Sequence, residues 1–187
     1  MLMSDIKGNS SGSSEFKTNG LLTKKGVKIE DQSSVDALSS RGYGTTESGV
    51  FTMGFHESLY LLDKGMLEVC DRDGHSVDFQ TLLQAYESVN ENAWVNFLEY
   101  RDLRSRGYVV REGFGSGIDF RVYERGAYGK DKAAHLILGA QEGKPVPIET
   151  LTAALQQCLS QKKELILAVM NRRGEIVYYS VSQLAFK

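Results

Sequence analysis

The sequence predicts an α+β protein of two small domains, an N-terminal α/β domain and a C-terminal mixed β-sheet domain with one main helix. Three observations predict it. The first half alternates short apolar runs with helical periods. The second half is strand-rich, with a single amphipathic helix. The charge also divides: residues 1–100 carry 8 basic and 15 acidic side chains, residues 101–187 carry 14 and 9. The overall formal charge of -2 hides this asymmetry, which sets an acidic module beside a basic one suited to a phosphate-bearing partner. The domains are expected as a disordered tail over 1–19, an N-terminal structural domain over 20–104 and a C-terminal domain over 105–187, with the boundary near Arg104–Gly107.

In chain order, Met1 to Gly20 is polar and Ser/Gly-rich and reads as a disordered tail. Gly20 to Ile29 reads as a strand or hairpin with Lys24-Lys25-Gly26 at its turn. Val35 to Ser40 is a short helix stopped by Gly42. A second helix runs from about Gly54 to Lys64 and ends at Gly65. Met66 to Cys70 is a strand closed by a turn at Asp71–Gly74. Asp78 is placed to N-cap a helix through Tyr86. The next helix, Asn92 to Arg106, gathers Trp94, Val95, Phe97, Leu98 and Leu103 on one broad face.

Beyond Gly107, Tyr108-Val109-Val110 starts a strand and Gly113–Gly117 makes a turn. Ile118 to Tyr123 alternates, with Ile118, Phe120 and Val122 inward and Asp119, Arg121 and Tyr123 outward. His135 to Leu138 is apolar. Pro147 suits the first turn of a helix carrying Ile148, Leu151, Leu155 and Cys158/Leu159. Leu165 to Met170 is uninterruptedly apolar, as a central strand is, and Ile176 to Val181 returns as a strand that would expose an edge.

Several function classes fall away. No apolar run approaches the roughly 18–20 residues of a membrane span. The N-terminus lacks the apolar core of a secretory signal. Two cysteines, Cys70 and Cys158, make neither a disulfide framework nor a zinc knuckle, and point to a reducing cytoplasm. The glycines at 113–117 lack the Gly-Lys-Ser/Thr ending and following helix of a phosphate loop. His56 and His75 lack metal-ligand spacing and read as packing or surface residues. Tyr123, His135 and the pair Lys162-Lys163 are each ordinary taken singly. As an ordered set on three strands or strand ends of one basic domain, they are candidates for acid–base chemistry.

The chain resembles the archaeal tRNA-splicing endonucleases, relatives of the catalytic subunits of the eukaryotic enzyme, from about Gly20 to Leu184. The N-terminal residues that carry the resemblance are Ser40-Arg41-Gly42-Tyr43-Gly44 and Glu57-Ser58-Leu59-Tyr60-Leu61-Leu62-Asp63-Lys64-Gly65. In the C-terminal half they are Arg106 to Val110 through Phe114-Gly115, Asp119 to Tyr123, Lys163 to Val169, and Val177-Tyr178-Tyr179. The resemblance implies a nuclease-like C-terminal domain that excises introns from precursor tRNA at bulge-helix-bulge sites. It implies cleavage without metal or other cofactor, leaving a 2′,3′-cyclic phosphate and a 5′-hydroxyl. Tyr123 matches the family's general base, His135 its general acid and Lys163 its electrostatic stabiliser, with Lys162 the neighbouring alternative. Dependence on the 2′-OH implies inactivity on DNA.

The family acts as four-unit assemblies in which an acidic loop of one unit docks into a basic pocket of another. The matching loop here, Asn171-Arg172-Arg173-Gly174-Glu175, holds two arginines. That fits a catalytic unit which self-associates through its C-terminal strand and receives the acidic loop from a structural partner or sister domain. The family's base-clamping arginine has no counterpart in Leu155-Gln156-Gln157-Cys158. Arg121, and Lys130 and Lys132 in the Tyr123–His135 interval, are candidate contacts to RNA. The alternative reading is a non-catalytic structural or RNA-binding subunit of the same assembly.

Overall fold

The structure is a computed structural model and describes residues 16–115, 117–130 and 132–184. Residues 1–15 of the expected tail lie outside the described residues. Two sheets and five helices are described. The first half contains β1 (Thr18–Thr23), β2 (Gly26–Ile29), α1 (Gln32–Ser40), β3 (Thr45–Glu47), β4 (Val50–Met53), α2 (Phe55–Asp63), β5 (Leu67–Cys70), β6 (Ser76–Val77) and α3 (Phe79–Glu87). α4 (Ala93–Ser105) leads into β7 (Val109–Glu112), β8 (Phe120–Tyr123), β9 (His135–Gln141), α5 (Ile148–Ser160), β10 (Glu164–Met170) and β11 (Ile176–Val181).

The six-stranded sheet has the order β3-β4-β2-β1-β5-β6, and the five-stranded sheet β11-β10-β9-β8-β7. In the second sheet β9 and β10 run parallel and the other pairs antiparallel. The parallel pair needs a crossover, and α5 supplies it. Strand alternation sorts the core. Phe120, Val122 and Ile137 face α4, joining Phe97, Tyr100 and Leu103 in a core that continues into the N-terminal sheet. Leu136, Leu138 and Leu165 face the other way, onto Ala154 and Cys158 of α5. Helix starts follow local chemistry: Asp31 accepts the Ser34 N–H and Asp78 the Thr81 N–H, each at 2.8 Å.

The sequence reading assigns no strand to Thr45–Glu47. Those residues pair with β4 through Ser48 and Gly49, both at positive φ, a hairpin that local apolarity does not announce. β1 begins at Thr18 rather than Gly20, because Thr18 and Asn19 extend the parallel ladder with β5. Trp94 is 43% exposed rather than on the buried face of α4, and Ile148 and Leu159 of α5 are 67% and 47% exposed. α5 meets the sheet chiefly through Ala154 and Cys158, so the ends of its apolar stripe run past the core. Pro147 is the residue before α5 rather than inside its first turn.

A buried ion pair ties β7 of the second sheet to α2 and the loops around Gly42, Gly44 and Gly54. Glu57 of α2 accepts the backbone N–H groups of Gly44 and Gly54, and Arg111 of β7 donates to the Gly42 carbonyl at 2.9 Å and to Glu57 at 3.3 Å. Burial pushes the Glu57 carboxyl up, and the Arg111 guanidinium and those N–H donors oppose the shift. Gly42 and Gly44, and Glu57, come from the two N-terminal motifs that carry the family resemblance, so part of that resemblance is structural.

Candidate active site

Register places the candidate side chains. Val122 of β8 sits opposite His135, and His135 sits opposite Glu164 of β10. Tyr123 therefore follows the first pairing by one residue and Lys163 precedes the second by one, so strand alternation turns both toward the face opposite to that of His135. The C-terminal end of β8, the start of β9 and the approach to β10 share one end of the sheet, on three adjacent strands roughly 4.8 Å apart. The ladder closes tightly there: Ala134 N–H donates to the Val122 carbonyl at 3.0 Å, and Glu164 N–H to the Ala134 carbonyl at 3.3 Å.

All three side chains are half-buried. The Tyr123 and Tyr128 rings make a T-shaped pair, with centroids 5.1 Å apart. His135 Nδ1 lies 3.1 Å from Glu164 Oε2, within ion-pair distance though off the line of a hydrogen bond. Its Nε2 is 3.9 Å from Glu124 Oε1. Ser180 of β11 donates to Glu164 Oε1 at 2.6 Å and steadies that carboxylate. The two lysines differ. Lys162 is exposed and takes a left-handed backbone, φ 54, to close α5. Lys163 donates its N–H to the Cys158 carbonyl at 2.9 Å, and its ammonium lies 5.9 Å from the centre of the Phe114 ring. Local conformation thus separates two residues that sequence leaves as neighbours.

The other candidates lie around this edge. Arg121 donates through Nε to the Glu112 carbonyl and packs its guanidinium 5.2 Å from the Phe114 ring centre. Lys130 and Lys132 are exposed in the segment joining β8 to β9. Arg172 reaches Glu142 at 3.7 Å from the exposed β10–β11 turn. A cleft of about 650 Å³, lined by Lys24, Lys25, His56 and Glu112 among others, includes none of Tyr123, His135 and Lys163. The candidate residues thus lie at one end of the sheet, on its three interior strands.

The remaining histidines behave differently from these. His56 is buried among Tyr86, Tyr100 and Phe120, and burial, seconded by the charge of Arg111, pushes its pKa down to about 3. His75, expected to lack a carboxylate at metal spacing, converges with Asp71 and Asp73 in an exposed turn. Asp71 accepts the backbone N–H groups of Asp73 and His75, so turn geometry accounts for the grouping. Sequence reading missed Glu164 and Phe114 as neighbours of the candidate site. Glu164 follows Lys163 directly, but only the β9–β10 register sets it against His135.

Comparison with known proteins gives first the class, a two-domain endonuclease. The model of the tRNA intron endonuclease catalytic C-terminal domain matches residues 93–178, and that of the N-terminal domain matches residues 18–83. The tRNA-splicing endonuclease of Methanococcus maripaludis is 30% identical over 163 residues, covering 87% of this chain and 92% of that protein. That of Pyrococcus furiosus is 31% identical over 161 residues, covering 86% and 92%. That of Methanococcoides burtonii is 28% identical over 167 residues, which is 89% of this chain but 46% of the longer protein. The chain belongs to the tRNA intron endonuclease family and carries the family's catalytic domain.

Proposed function

We propose that the protein excises introns from precursor tRNA at bulge-helix-bulge sites, by metal-independent transesterification at the edge formed by Tyr123, His135 and Lys163. The observation that supports the reading is the ladder, which brings the residues Tyr123, His135 and Lys163 to the ends of three adjacent strands. Tyr123 takes the proton from the ribose 2′-OH. The 2′-oxygen attacks the neighbouring phosphorus, and the bond to the 5′-oxygen breaks. His135 gives a proton to that departing oxygen, and Lys163 faces the charge that accumulates on the phosphorane. The products are a 2′,3′-cyclic phosphate and a 5′-hydroxyl, and DNA, lacking the 2′-OH, is inert.

Residues 20–104 serve in this reading as a structural domain and 105–187 as the catalytic one. Arg121, Lys130 and Lys132 contact RNA, and exposure of the two lysines supports that role. The exposed Val177 and Tyr179 on β11 support self-association through that strand. The arginines of the β10–β11 turn favour a structural partner or sister domain that brings the acidic loop. A relative about twice this length has room for such a sister unit. The free Cys70 and Cys158 fit a reducing, cytoplasmic setting.

The test is cleavage of an intron-containing precursor tRNA in EDTA, with and without a partner subunit, followed by analysis of the product ends. The expected result is intron release with cyclic-phosphate termini. Binding without cleavage in every combination would instead support a structural, RNA-binding subunit.

A further inference from the structure

The turn between β7 and β8 is built to hold one aromatic ring in place. Phe114 at its tip is 39% exposed. Its carbonyl accepts Gln157 Nε2–H from α5 at 2.9 Å. Gly115, at φ 80, passes so close to that side chain that a Cβ would lie 2.8 Å from Gln157 Oε1. On the near side, Gly113 N–H donates to the Asp119 carbonyl at 2.8 Å. The loop is therefore tied to α5 and to the entry of β8, and the ring it carries has two cations beside it, Arg121 and Lys163.

We propose that Phe114 is a positioning residue, whose ring holds the Lys163 ammonium at the cleavage edge while Gln157 fixes the loop that carries the ring. The inference rests on the reading of Lys163 as the stabiliser of the phosphorane, and deepens it. A lysine on four rotatable bonds spreads over many positions unless something holds it. A carboxylate would hold it but would offset its charge and occupy its N–H donors. An aromatic face attracts the ammonium through its quadrupole and leaves the full positive charge for the substrate. Arg121 has an anchor of its own, its Nε donating to the Glu112 carbonyl.

The test is single-turnover cleavage of precursor tRNA by the assembled enzyme, which separates the chemical step from binding. Phe114→Leu is expected to lower the saturating rate about three- to thirtyfold, the range of a cation–π contact, with the half-saturating concentration unchanged. Phe114→Trp is expected to retain most of the rate. In a Lys163→Ala background, Phe114→Leu is expected to add nothing, because the group it positions is gone. Where Phe114→Leu fails to fold by circular dichroism, Gln157→Leu, which frees the loop and keeps the ring, takes its place with the same non-additivity. A rise in half-saturating concentration at unchanged rate, additive losses in the double variant, or no loss would overturn the proposal. Full activity in Lys163→Ala would remove Lys163 from the mechanism, and the positioning role with it. An inert Phe114→Leu beside a crippled Lys163→Ala would sink the positioning role alone.

Discussion

Glu164 sits directly across the parallel β9–β10 ladder from His135, and its Oε2 stands 3.1 Å from the His135 Nδ1. In the proposed mechanism that carboxylate restrains the imidazole from the Nδ1 side while Nε2 acts on the substrate. Ser180 holds the other oxygen of that carboxylate. Glu164→Ala is therefore expected to lower the single-turnover rate by about ten- to a hundredfold, the scale of a misaligned catalytic group. Because Glu164 is half-exposed, the melting temperature should stay unchanged. The loss should vanish in a His135→Ala background. An equal loss there would mean that Glu164 acts on something other than His135.

The Glu57–Arg111 pair predicts a large stability effect far from the chemistry. Truncating Arg111 leaves a buried carboxylate facing only backbone N–H groups. Arg111→Met should cost about 3–5 kcal/mol in urea unfolding. Glu57→Gln, which keeps an acceptor for Gly44 and Gly54, should cost less. A loss under about 1 kcal/mol for Arg111→Met would contradict the idea that this pair clamps β7 to α2.

His56 sets the acid side of stability. Its folded pKa of about 3 lies below the ordinary 6.5, so between those values the unfolded chain binds a proton that the folded chain refuses. Stability from this group is complete above pH 6.5 and falls as the pH drops, by about 1.4 kcal/mol per unit across the window. His56→Phe should flatten that decline while keeping the aromatic packing. Denaturant midpoints of both proteins from pH 4 to 7 would show it, and parallel curves would rule it out.

Glu99 acts with the opposite sign. It is fully buried in α4, neither carboxyl oxygen has a hydrogen-bond partner among the described residues, and burial, with Asp119 nearby, holds its pKa well above the usual range. The folded protein keeps a proton that the unfolded chain has released above about pH 4.5. This stability is complete below that pH and is lost as the pH rises toward the folded pKa. Glu99→Gln should therefore lose less melting temperature between pH 5 and pH 9 than the parent does. The carboxyl also crowds Gly139, where a Cβ would come within 2.6 Å of Oε1. Gly139→Ala should destabilise at every pH.

Much of this fold was legible because its elements obey local rules. Asp78 before an apolar helix, the alternation from Ile118 to Val122 and the apolar run from Leu165 to Met170 each state their structure within a few residues. What stayed hidden depends on partners distant in sequence. Thr45–Glu47 becomes a strand only because β4 lies beside it. Trp94 and Ile148 follow an apolar period, yet no described residue covers them fully. At the candidate site, residue types and family motifs suggested Tyr123, His135 and Lys163. Glu164 and Phe114 needed the β9–β10 register and the contact between α5 and the β7–β8 turn. The buried Glu57–Arg111 pair joins residues 54 apart in sequence and carries no local signature.

The proposed protonation of the departing 5′-oxygen by His135 can be isolated by changing that atom. A precursor tRNA with a bridging 5′-sulfur at the splice site has a leaving group that departs without a proton. His135→Ala should lose about 10²–10⁴-fold on the ordinary substrate and recover most of that rate on the sulfur substrate, while Tyr123→Phe stays impaired on both. An equal loss of His135→Ala on the two substrates would contradict the account.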